Sequence, residues 1–271
     1  TTGVRCIVEV VNSHVENIDE ILREEHRRLR MPYSGFSVGE RAARLTEYNI
    51  SDFILCPSEF VKQSFVDRGI NEKRIIKNNF GFSRPGGAET ARRRESTDRF
   101  RILFVGSISI RKGIHYLLEA FNHIDHPKKE LLLVGGIVDR FLADIARNTR
   151  GVTLAGILKK DALAQAYMAA DIFILPSLEE GLALVQAEAL SFGLPLISTE
   201  NTGAKDLFTH NVEGFIVPIR DAKTIAMRAT DLALQTLLKR RMAAAAKKRA
   251  AKIGGWENSG NSLCHSLANL T

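Results

Sequence analysis

The sequence predicts an α/β fold of doubly wound parallel sheets, in which helices cover both faces of each sheet. Apolar runs alternate with helical patterns through nearly all of the 271 residues. The runs are apolar along their whole length, as in strands that are buried on both faces. A helical segment follows almost every run and supplies the crossover that parallel neighbours require. The length allows one large or two small domains, at about 150 residues per domain.

The clearest alternation lies in residues 98–245, which we predict to form one complete domain. Strands are expected at 101–105, 130–134, 152–155, 171–175, 196–198 and 214–217. Helices are expected at 113–122, 140–147, 160–169 and 183–192, with a turn at 205–208. Residues 246–271 are predicted to form a C-terminal helix that returns to the N-terminal domain.

The first 82 residues contain only two or three strand–helix units. Strands are predicted at 6–11 and 52–58, an extended segment at 75–80, and helices at 15–29, 38–48 and 59–67. We therefore expect residues 1–82 to form a truncated N-terminal domain. The polar stretch 83–97, which contains Pro and Gly, is predicted to be an interdomain linker.

The net charge of +7 is concentrated in one segment. Eight basic residues and one acid lie between Arg228 and Lys252, and most of that stretch has the pattern of a helix with an apolar stripe and a basic face. We favour a solvated surface helix. The alternative is a peripheral contact with anionic lipid or another anionic partner. No aromatic-studded basic groove accompanies the helix, so nucleic acid is not an expected partner.

Composition and cysteine spacing exclude several other classes of protein. No apolar run approaches the roughly 18 residues of a membrane span. Cys6, Cys56 and Cys264 lie far apart without a CxxC pair, which argues against a disulfide framework or a zinc site. No signal peptide is recognisable. We expect a cytoplasmic protein, with peripheral contact at the inner face of the membrane as the alternative for the basic segment.

Candidate ligand-binding residues follow two of the predicted strands. In doubly wound sheets, ligands bind beyond the carboxyl ends of the strands. The strand 101–105 is followed by Gly106 and Ser107, and then by the adjacent cations Arg111 and Lys112. The fork of an Arg and the point charge of a Lys suit a pyrophosphate. The alternative is a solvated pair of charges in a loop.

The strand 171–175 leads into a loop with Glu180 and Gly181, and then into a helix that carries Glu188. Backbone amides at the start of such a helix attract phosphate. A carboxylate at Glu188 could accept hydrogen bonds from the two hydroxyls of a ribose, and Glu180 could do the same for a sugar. Glu188 could equally be a surface acid. His14 follows the first strand, where a role in the cleft competes with a structural one.

Neither a dinucleotide-binding GxGxxG nor a phosphate-binding GxxxxGK[ST] is present. The sequence instead contains two glutamates separated by seven residues, Glu180 and Glu188, followed by Gly193-Leu194-Pro195. This block resembles that of the retaining GT-B glycosyltransferases of the large bacterial family 4. Further matches to that family are Phe104-Val105-Gly106 with Arg111-Lys112-Gly113, Ala169-Ala170-Asp171, Asn201-Thr202-Gly203-Ala204, Pro57-Ser58-Glu59-Phe60 and Trp256.

The resemblance implies a GT-B fold of two Rossmann-like domains and a role for each matching residue. Glu188 would bind the ribose of a nucleotide sugar, and Glu180 would lie beside the donor sugar. Arg111 and Lys112 would offset the charge that develops on the leaving nucleoside diphosphate. His14 would contact the donor sugar.

The backbone positions implied by the resemblance surround the same ligand. The amides of Gly181, Leu182, Ala183 and Leu184 would lie near the distal phosphate or the sugar. The phosphate-binding turn would include Gly106 and Ser107, and the base would be lined by Gly156, Ile157 and Leu158. The family needs no bound metal, and no DxD follows a predicted strand, so we expect neither a metal nor a cofactor.

Two residues depart from the family pattern. Ser107 stands where the family usually carries an Arg, and Arg111 is a candidate substitute. Ser83 stands where the interdomain signature usually has an acid. The acceptor side belongs to the domain that is short here.

Three hypotheses about function follow. The first is a retaining glycosyltransferase that moves a sugar from a nucleotide-sugar donor, with UDP as the expected nucleotide, to an unknown hydroxyl acceptor. The second is a nucleotide-binding module without transfer activity. The third is an epimerase or phosphorylase on the same fold, although no lysine stands out as the site of a phosphorylase cofactor. Polysaccharide biosynthesis is expected by association with the family.

Overall fold

The computed structural model describes residues 4–85 and 98–269, which form two sheets whose paired strands are all parallel. The three-stranded sheet has the order β1-β2-β3, and the six-stranded sheet has the order β6-β5-β4-β7-β8-β9. The strands are β1 Ile7–Glu9, β2 Phe53–Cys56, β3 Ile75–Lys77, β4 Phe100–Val105, β5 Lys129–Val134, β6 Val152–Gly156, β7 Ile172–Leu175, β8 Leu196–Thr199 and β9 Gly214–Val217.

Helices join successive strands in both sheets. The helices are α1 Val15–Arg28, α2 Val38–Ile50, α3 Glu59–Val66, α4 Ile114–His123, α5 Arg140–Asn148, α6 Lys160–Ala169, α7 Leu184–Ser191, α8 Ala204–Leu207, α9 Ala222–Leu234, α10 Thr236–Ile253 and α11 Trp256–Ala268. We call β1–β3 with α1–α3 the small lobe, and β4–β9 with α4–α9 the large lobe. This confirms the predicted α/β class.

The large lobe is built around fully buried strands. Every residue of β7 and β8 is buried, because helices cover both faces of the sheet at its centre. The strand order changes direction between β4 and β7. From β4 the chain adds β5 and β6 on one side, and it then crosses to β7 and adds β8 and β9 on the opposite side. Such a switch point opens a crevice beyond the carboxyl ends of the strands. The loops after β4 and β7 border that crevice.

The small lobe has its own apolar core, of Val10, Val15, Tyr48, Ile54, Cys56, Val61 and Phe65. Its central strand β2 is buried along three of its four residues, whereas β1 is largely exposed. Ile21 of α1 and Leu29, the C-cap of this helix, pack instead against the core of the large lobe. The two lobes therefore share an apolar contact through α1.

A buried carboxylate on α1 also joins the lobes. Glu25 is fully buried, and its Oε1 lies 2.8 Å from His115 Nε2 and accepts a 2.8 Å hydrogen bond from the Tyr116 hydroxyl. Its Oε2 accepts a 2.6 Å hydrogen bond from Arg220 Nε. Burial opposes ionisation, but the hydrogen bonds from His115, Arg220 and Tyr116 outweigh it and lower the pKa of Glu25 to about 2.

Asp206 on α8 makes a second polar contact between the lobes. It accepts a 2.9 Å hydrogen bond from the backbone amide of Glu59 and pairs at 2.9 Å with Lys77 Nζ. Residue 206 lies within the segment 205–208 that we predicted to be a turn. That prediction was incomplete, because the segment continues a one-turn helix that begins at Ala204.

The C-terminal segment contains two helices rather than one. The boundary predicted between residues 245 and 246 falls inside α10, which packs against α7 of the large lobe. The chain then turns at Gly254 into α11, where Ser259 Oγ donates to the Asn79 carbonyl at 2.8 Å. The linker prediction covers 83–97, of which residues 86–97 lie outside the described part. The assignment of domains by residue number stays a prediction.

Within residues 4–85 and 98–269, no helix combines the length and the apolar character that crossing a membrane requires.

Candidate nucleotide-sugar site

The loops that follow β1, β4 and β7 meet at the switch point. A Cβ added to Gly181, in the loop after β7, would lie 1.7 Å from the Val11 carbonyl oxygen, in the loop after β1. The two backbones can therefore approach this closely only because residue 181 is a glycine. Ser58 Oγ, which also caps α3, donates a 2.6 Å hydrogen bond to the Gly181 carbonyl. These contacts place the carboxyl edges of the two sheets opposite each other.

Lys112 and Glu180 form an ion pair between the loops after β4 and β7. The same carboxylate oxygen, Glu180 Oε1, accepts a 3.0 Å hydrogen bond from Ser177 Oγ. The side chain of Lys112 is 15% exposed and that of Glu180 is 9% exposed, so both groups lie largely out of bulk water. An ammonium has three N–H donors, and one pairing leaves two for another acceptor.

Arg111 is directed to a different carboxylate, that of Glu179. Arg111 Nη1 lies 3.2 Å from Glu179 Oε2, and the Glu179 side chain is fully buried. The other oxygen, Glu179 Oε1, accepts hydrogen bonds of 3.0 Å from both the backbone amide and the hydroxyl of Ser13. Burial raises the pKa of Glu179, against the hydrogen bond from the Ser13 amide and the charge of Arg111. A carboxylate of the large lobe thus bridges an arginine and a loop of the small lobe.

Glu188 lies in the second turn of α7 and faces α6. Its Oε2 accepts a 2.8 Å hydrogen bond from the hydroxyl of Tyr167, which is buried and stacks on Phe192 with ring centroids 5.1 Å apart. Burial raises the pKa of Glu188, and the hydrogen bond from Tyr167 opposes that rise. Of the two interpretations left open by the sequence, the geometry disfavours a freely solvated surface acid.

The start of α7 differs in detail from the expectation. The helix begins at Leu184 with Ala183 as its N-cap, and Leu182 precedes the cap. The Ala183 amide donates to the Thr202 carbonyl at 3.2 Å. The Thr202 carbonyl thus takes the hydrogen of this amide, and the expected place of residues 181–184 near the distal phosphate or the sugar stays a prediction.

His14 is the N-cap of α1 and is 3% exposed. Its Nδ1 accepts a 3.2 Å hydrogen bond from the Glu16 amide, and its ring packs on Tyr48 and Phe65. Burial lowers the pKa of His14. A neutral imidazole whose Nδ1 accepts carries its proton on Nε2, so this ring has one N–H to donate.

The glycine-rich strand ends lie side by side. A Cβ on Gly135, after β5, would lie 1.9 Å from the Gly106 carbonyl oxygen, and the Gly135 amide donates to the Gly156 carbonyl at 2.8 Å. Ser107 Oγ lies 3.2 Å from Ser109 Oγ. The next segment leaves the sheet at Gly156 with Ile157 70% exposed and Leu158 half-buried.

Three residues of this region were not singled out from the sequence. Glu179 directly precedes Glu180, the first glutamate of the motif, and Ser13 directly precedes His14. In the sequence, Tyr167 resembles any other residue on the apolar face of α6. Only Glu179 could have been found from the sequence, as one of two successive acids directly before Gly181. Its burial, which is rare for an acid, is known only from the structure.

Among the described residues, no three His, Cys, Asp or Glu side chains are grouped in a way that could hold a metal ion. The prediction of metal independence remains untested.

The basic segment 228–252 presents part of its charge outward. Lys239 pairs with Asp171 at 2.9 Å, and Arg249 donates to the carbonyls of Leu207 and Asp206. Arg228 pairs with Asp231 at 3.2 Å. Met242, Ala246 and Ala250 form the buried stripe of α10. The exposed cations are Arg240, Arg241, Lys247, Lys248 and Lys252.

Residues 88–249 match the family model described as glycosyl transferases group 1, and this span is more than half of the chain. The chain belongs to this family. Among curated relatives, it is 31% identical over 144 residues to the amylovoran biosynthesis glycosyltransferase AmsK of Erwinia amylovora, covering 46% of this chain and 34% of the relative. It is 27% identical over 212 residues to the lipopolysaccharide core biosynthesis glycosyltransferase LpsE of Rhizobium meliloti, covering 76% and 61%.

Two solved structures illustrate the likeness in fold. HepE of Anabaena, in complex with UDP-glucose, superposes with a TM-score of 0.75 at 18% identity, over 97% of this chain and 72% of HepE. Sucrose-phosphate synthase of Thermosynechococcus elongatus gives a TM-score of 0.73 at 22% identity, over 86% and 62%. These matches confirm the predicted GT-B fold. This member of the group 1 family spans about a third of AmsK and three fifths of LpsE.

Proposed function

We propose that this chain binds a nucleotide sugar and serves a glycosyltransferase that moves the sugar to a hydroxyl acceptor with retention of configuration. The observation that carries the proposal is the meeting of Lys112, Glu180 and Arg111 at the switch point, with Glu188 on the helix that follows. Membership of the group 1 family supports the same function.

The chemistry of the site fits departure of a nucleoside diphosphate. When the bond between the sugar and the distal phosphate breaks, negative charge grows on the diphosphate. Arg111 and Lys112 are cations held in place before the reaction, and such groups stabilise developing charge more effectively than water does. The partly buried positions of both strengthen the interaction.

The remaining roles concern recognition of the donor. We assign the ribose hydroxyls to Glu188 and the donor sugar to Glu180. The N–H of His14 is assigned to the same sugar from the small lobe. The base is assigned to the segment from Gly156 to Leu158, whose exposed Ile157 offers an apolar surface.

UDP is the proposed nucleotide. HepE of Anabaena, TarM of S. aureus and the pneumococcal GtfA have been solved with UDP or UDP-glucose, and all three share this fold. The names of AmsK and LpsE refer to amylovoran and to lipopolysaccharide core biosynthesis, which supports a glycan as the acceptor.

Calorimetric titration tests the donor site. We expect metal-independent, micromolar binding of UDP in preference to GDP and ADP. The Glu188→Ala variant should bind UDP about 10- to 150-fold more weakly, since a hydrogen bond to a charged group contributes about 1.5–3 kcal/mol. The Glu119→Ala variant, at an exposed position of α4, is the control. Equal UDP affinity in wild type and Glu188→Ala would remove the ribose role.

A further proposal concerns the five exposed cations of the basic segment. We propose that their common side binds an anionic membrane surface, where each contributes about 1 kcal/mol. The other three cations of the segment, Lys239, Arg249 and Arg228, are engaged by carboxylates or carbonyls of the protein itself.

A further inference from the structure

Glu179 is a buried carboxylate for which the proposed reaction has no direct use. It is fully buried between the lobes, and both of its oxygens are engaged. One oxygen faces Arg111 of the large lobe, and the other faces Ser13 of the small lobe. Burying a charge costs several kcal/mol unless it is paired and hydrogen-bonded. We therefore expect the buried carboxylate of Glu179 to hold its ion-pair and hydrogen-bond partners in fixed positions.

The partner that needs fixing is Arg111. Its side chain is 34% exposed, and Glu179 lies 3.2 Å from Nη1. A guanidinium has five N–H donors in a rigid plane, so one contact on a buried carboxylate sets the direction of the others. The neighbouring cation Lys112 has its own carboxylate, Glu180, in the next position of the same loop. The two successive glutamates therefore hold the two successive cations one to one.

The other partner belongs to the small lobe. Ser13 donates its backbone amide and its hydroxyl to one oxygen of Glu179, both at 3.0 Å, and Asn17 Nδ2 donates to the Ser13 hydroxyl at 3.0 Å. The hydroxyl of Ser13 is thus both donor and acceptor, which fixes its orientation. The next residue is His14, which we assign to the donor sugar. The same contact therefore fixes the spacing between a small-lobe sugar contact and a large-lobe phosphate contact.

We propose that Glu179 is a positioning residue that couples the Ser13 loop of the small lobe to Arg111 and so directs this arginine at the distal phosphate of the bound nucleotide. The inference rests on the proposed function of the cleft. It explains how a chain with Ser107 in its phosphate-binding turn supplies a second cation there. Glu179 itself does not touch the donor, because both of its oxygens are taken.

The test compares UDP with UMP, which lacks the distal phosphate, in calorimetric titrations of the whole chain. Glu179→Gln keeps the shape of the side chain and removes its charge. We expect this variant to bind UDP five- to tenfold more weakly and UMP less than twofold more weakly. Ser13→Ala should reproduce the same selective loss on a smaller scale. In an Arg111→Ala background, Glu179→Gln should have no further effect on UDP affinity, because the residue acts through that arginine.

Asp206→Asn is the matched control. Asp206 is also a buried carboxylate that accepts a backbone amide and pairs with a cation across the lobes, but it does so away from Arg111. It should lower stability without changing the ratio of UDP to UMP affinity. If Glu179→Gln weakens UDP and UMP equally, or still weakens UDP in the Arg111→Ala background, a purely structural role stands and the inference is wrong. A wild-type chain that binds no UDP would overturn the proposed function and this inference together, whereas normal UDP binding by Glu179→Gln would overturn the inference alone.

Discussion

Replacing Glu25 by glutamine should weaken the contact between the lobes and do so in a pH-dependent manner. The carboxylate accepts hydrogen bonds from Tyr116 and Arg220 and lies 2.8 Å from His115 Nε2, and it is fully buried. Its pKa is lowered from 4.5 to about 2. Such a group stabilises the folded protein above its ordinary pKa, and the stabilisation is lost as the pH falls towards the lowered value.

The size of the effect follows from that shift. Each pKa unit corresponds to 1.36 kcal/mol between the two protonation states, so a fall from 4.5 to about 2 corresponds to about 3 kcal/mol. The amide of the Glu25→Gln variant resembles the protonated acid. The variant should therefore have a free energy of unfolding about 3 kcal/mol lower near neutral pH. The difference should shrink between pH 4.5 and 2, where the wild-type carboxylate takes up its proton.

Urea denaturation at a series of pH values, followed by circular dichroism, measures this difference. Glu20→Gln is the control, because Glu20 lies on the same helix and pairs with Arg68 at an exposed position. Surface pairs contribute about 0–1 kcal/mol, so this variant should be close to wild type at every pH. A Glu25→Gln variant that loses less than about 1 kcal/mol at neutral pH, or whose deficit persists unchanged near pH 2, would refute the reasoning.

Three further outcomes are expected. Gly181→Ala should cost about 1–3 kcal/mol in unfolding experiments, because its Cβ would meet the Val11 carbonyl, whereas Gly39→Ala, with no atom within 4 Å of the added Cβ, should be neutral or slightly stabilising. Tyr167→Phe removes a donor to Glu188, so carbon NMR should record a further rise in the pKa of that carboxyl, together with weaker UDP binding. In flotation assays the basic segment should carry the protein to anionic but not to neutral vesicles; equal behaviour with both would exclude the lipid contact.

The strands of the large lobe were predictable because each is a buried apolar run between helices, a property of a few consecutive residues. The strand ends that carry Arg111, Lys112 and Glu180 were predictable too, whereas the order of the strands in the sheet was not. The sequence does not predict which cation pairs with which carboxylate. Whether Arg111 faces Glu179 or Glu180 depends on the register of two loops, and nothing in the local pattern distinguishes the two acids.

Contacts between the lobes were the least predictable part. Glu25 and Arg220 are 195 residues apart, and each alone resembles an ordinary surface charge. The amide of Ala183 was expected to be available because helix N-termini usually leave their first amides free. In the structure that amide donates a hydrogen bond to the carbonyl of Thr202, which lies in a separate loop. Long-range satisfaction of polar groups cannot be inferred from spacing along one segment.

The return of α11 has a mechanical consequence. The outgoing chain at Gly81 lies so close to the returning chain that an added Cβ would be 2.4 Å from the Gly255 carbonyl oxygen, and Asn78 and Asn79 both contact Ser259. The outgoing and returning segments therefore touch where they run between the lobes. These contacts fasten the C-terminal helix to the end of the small lobe, so a single cut in the large lobe would leave both of its fragments attached to the same neighbour.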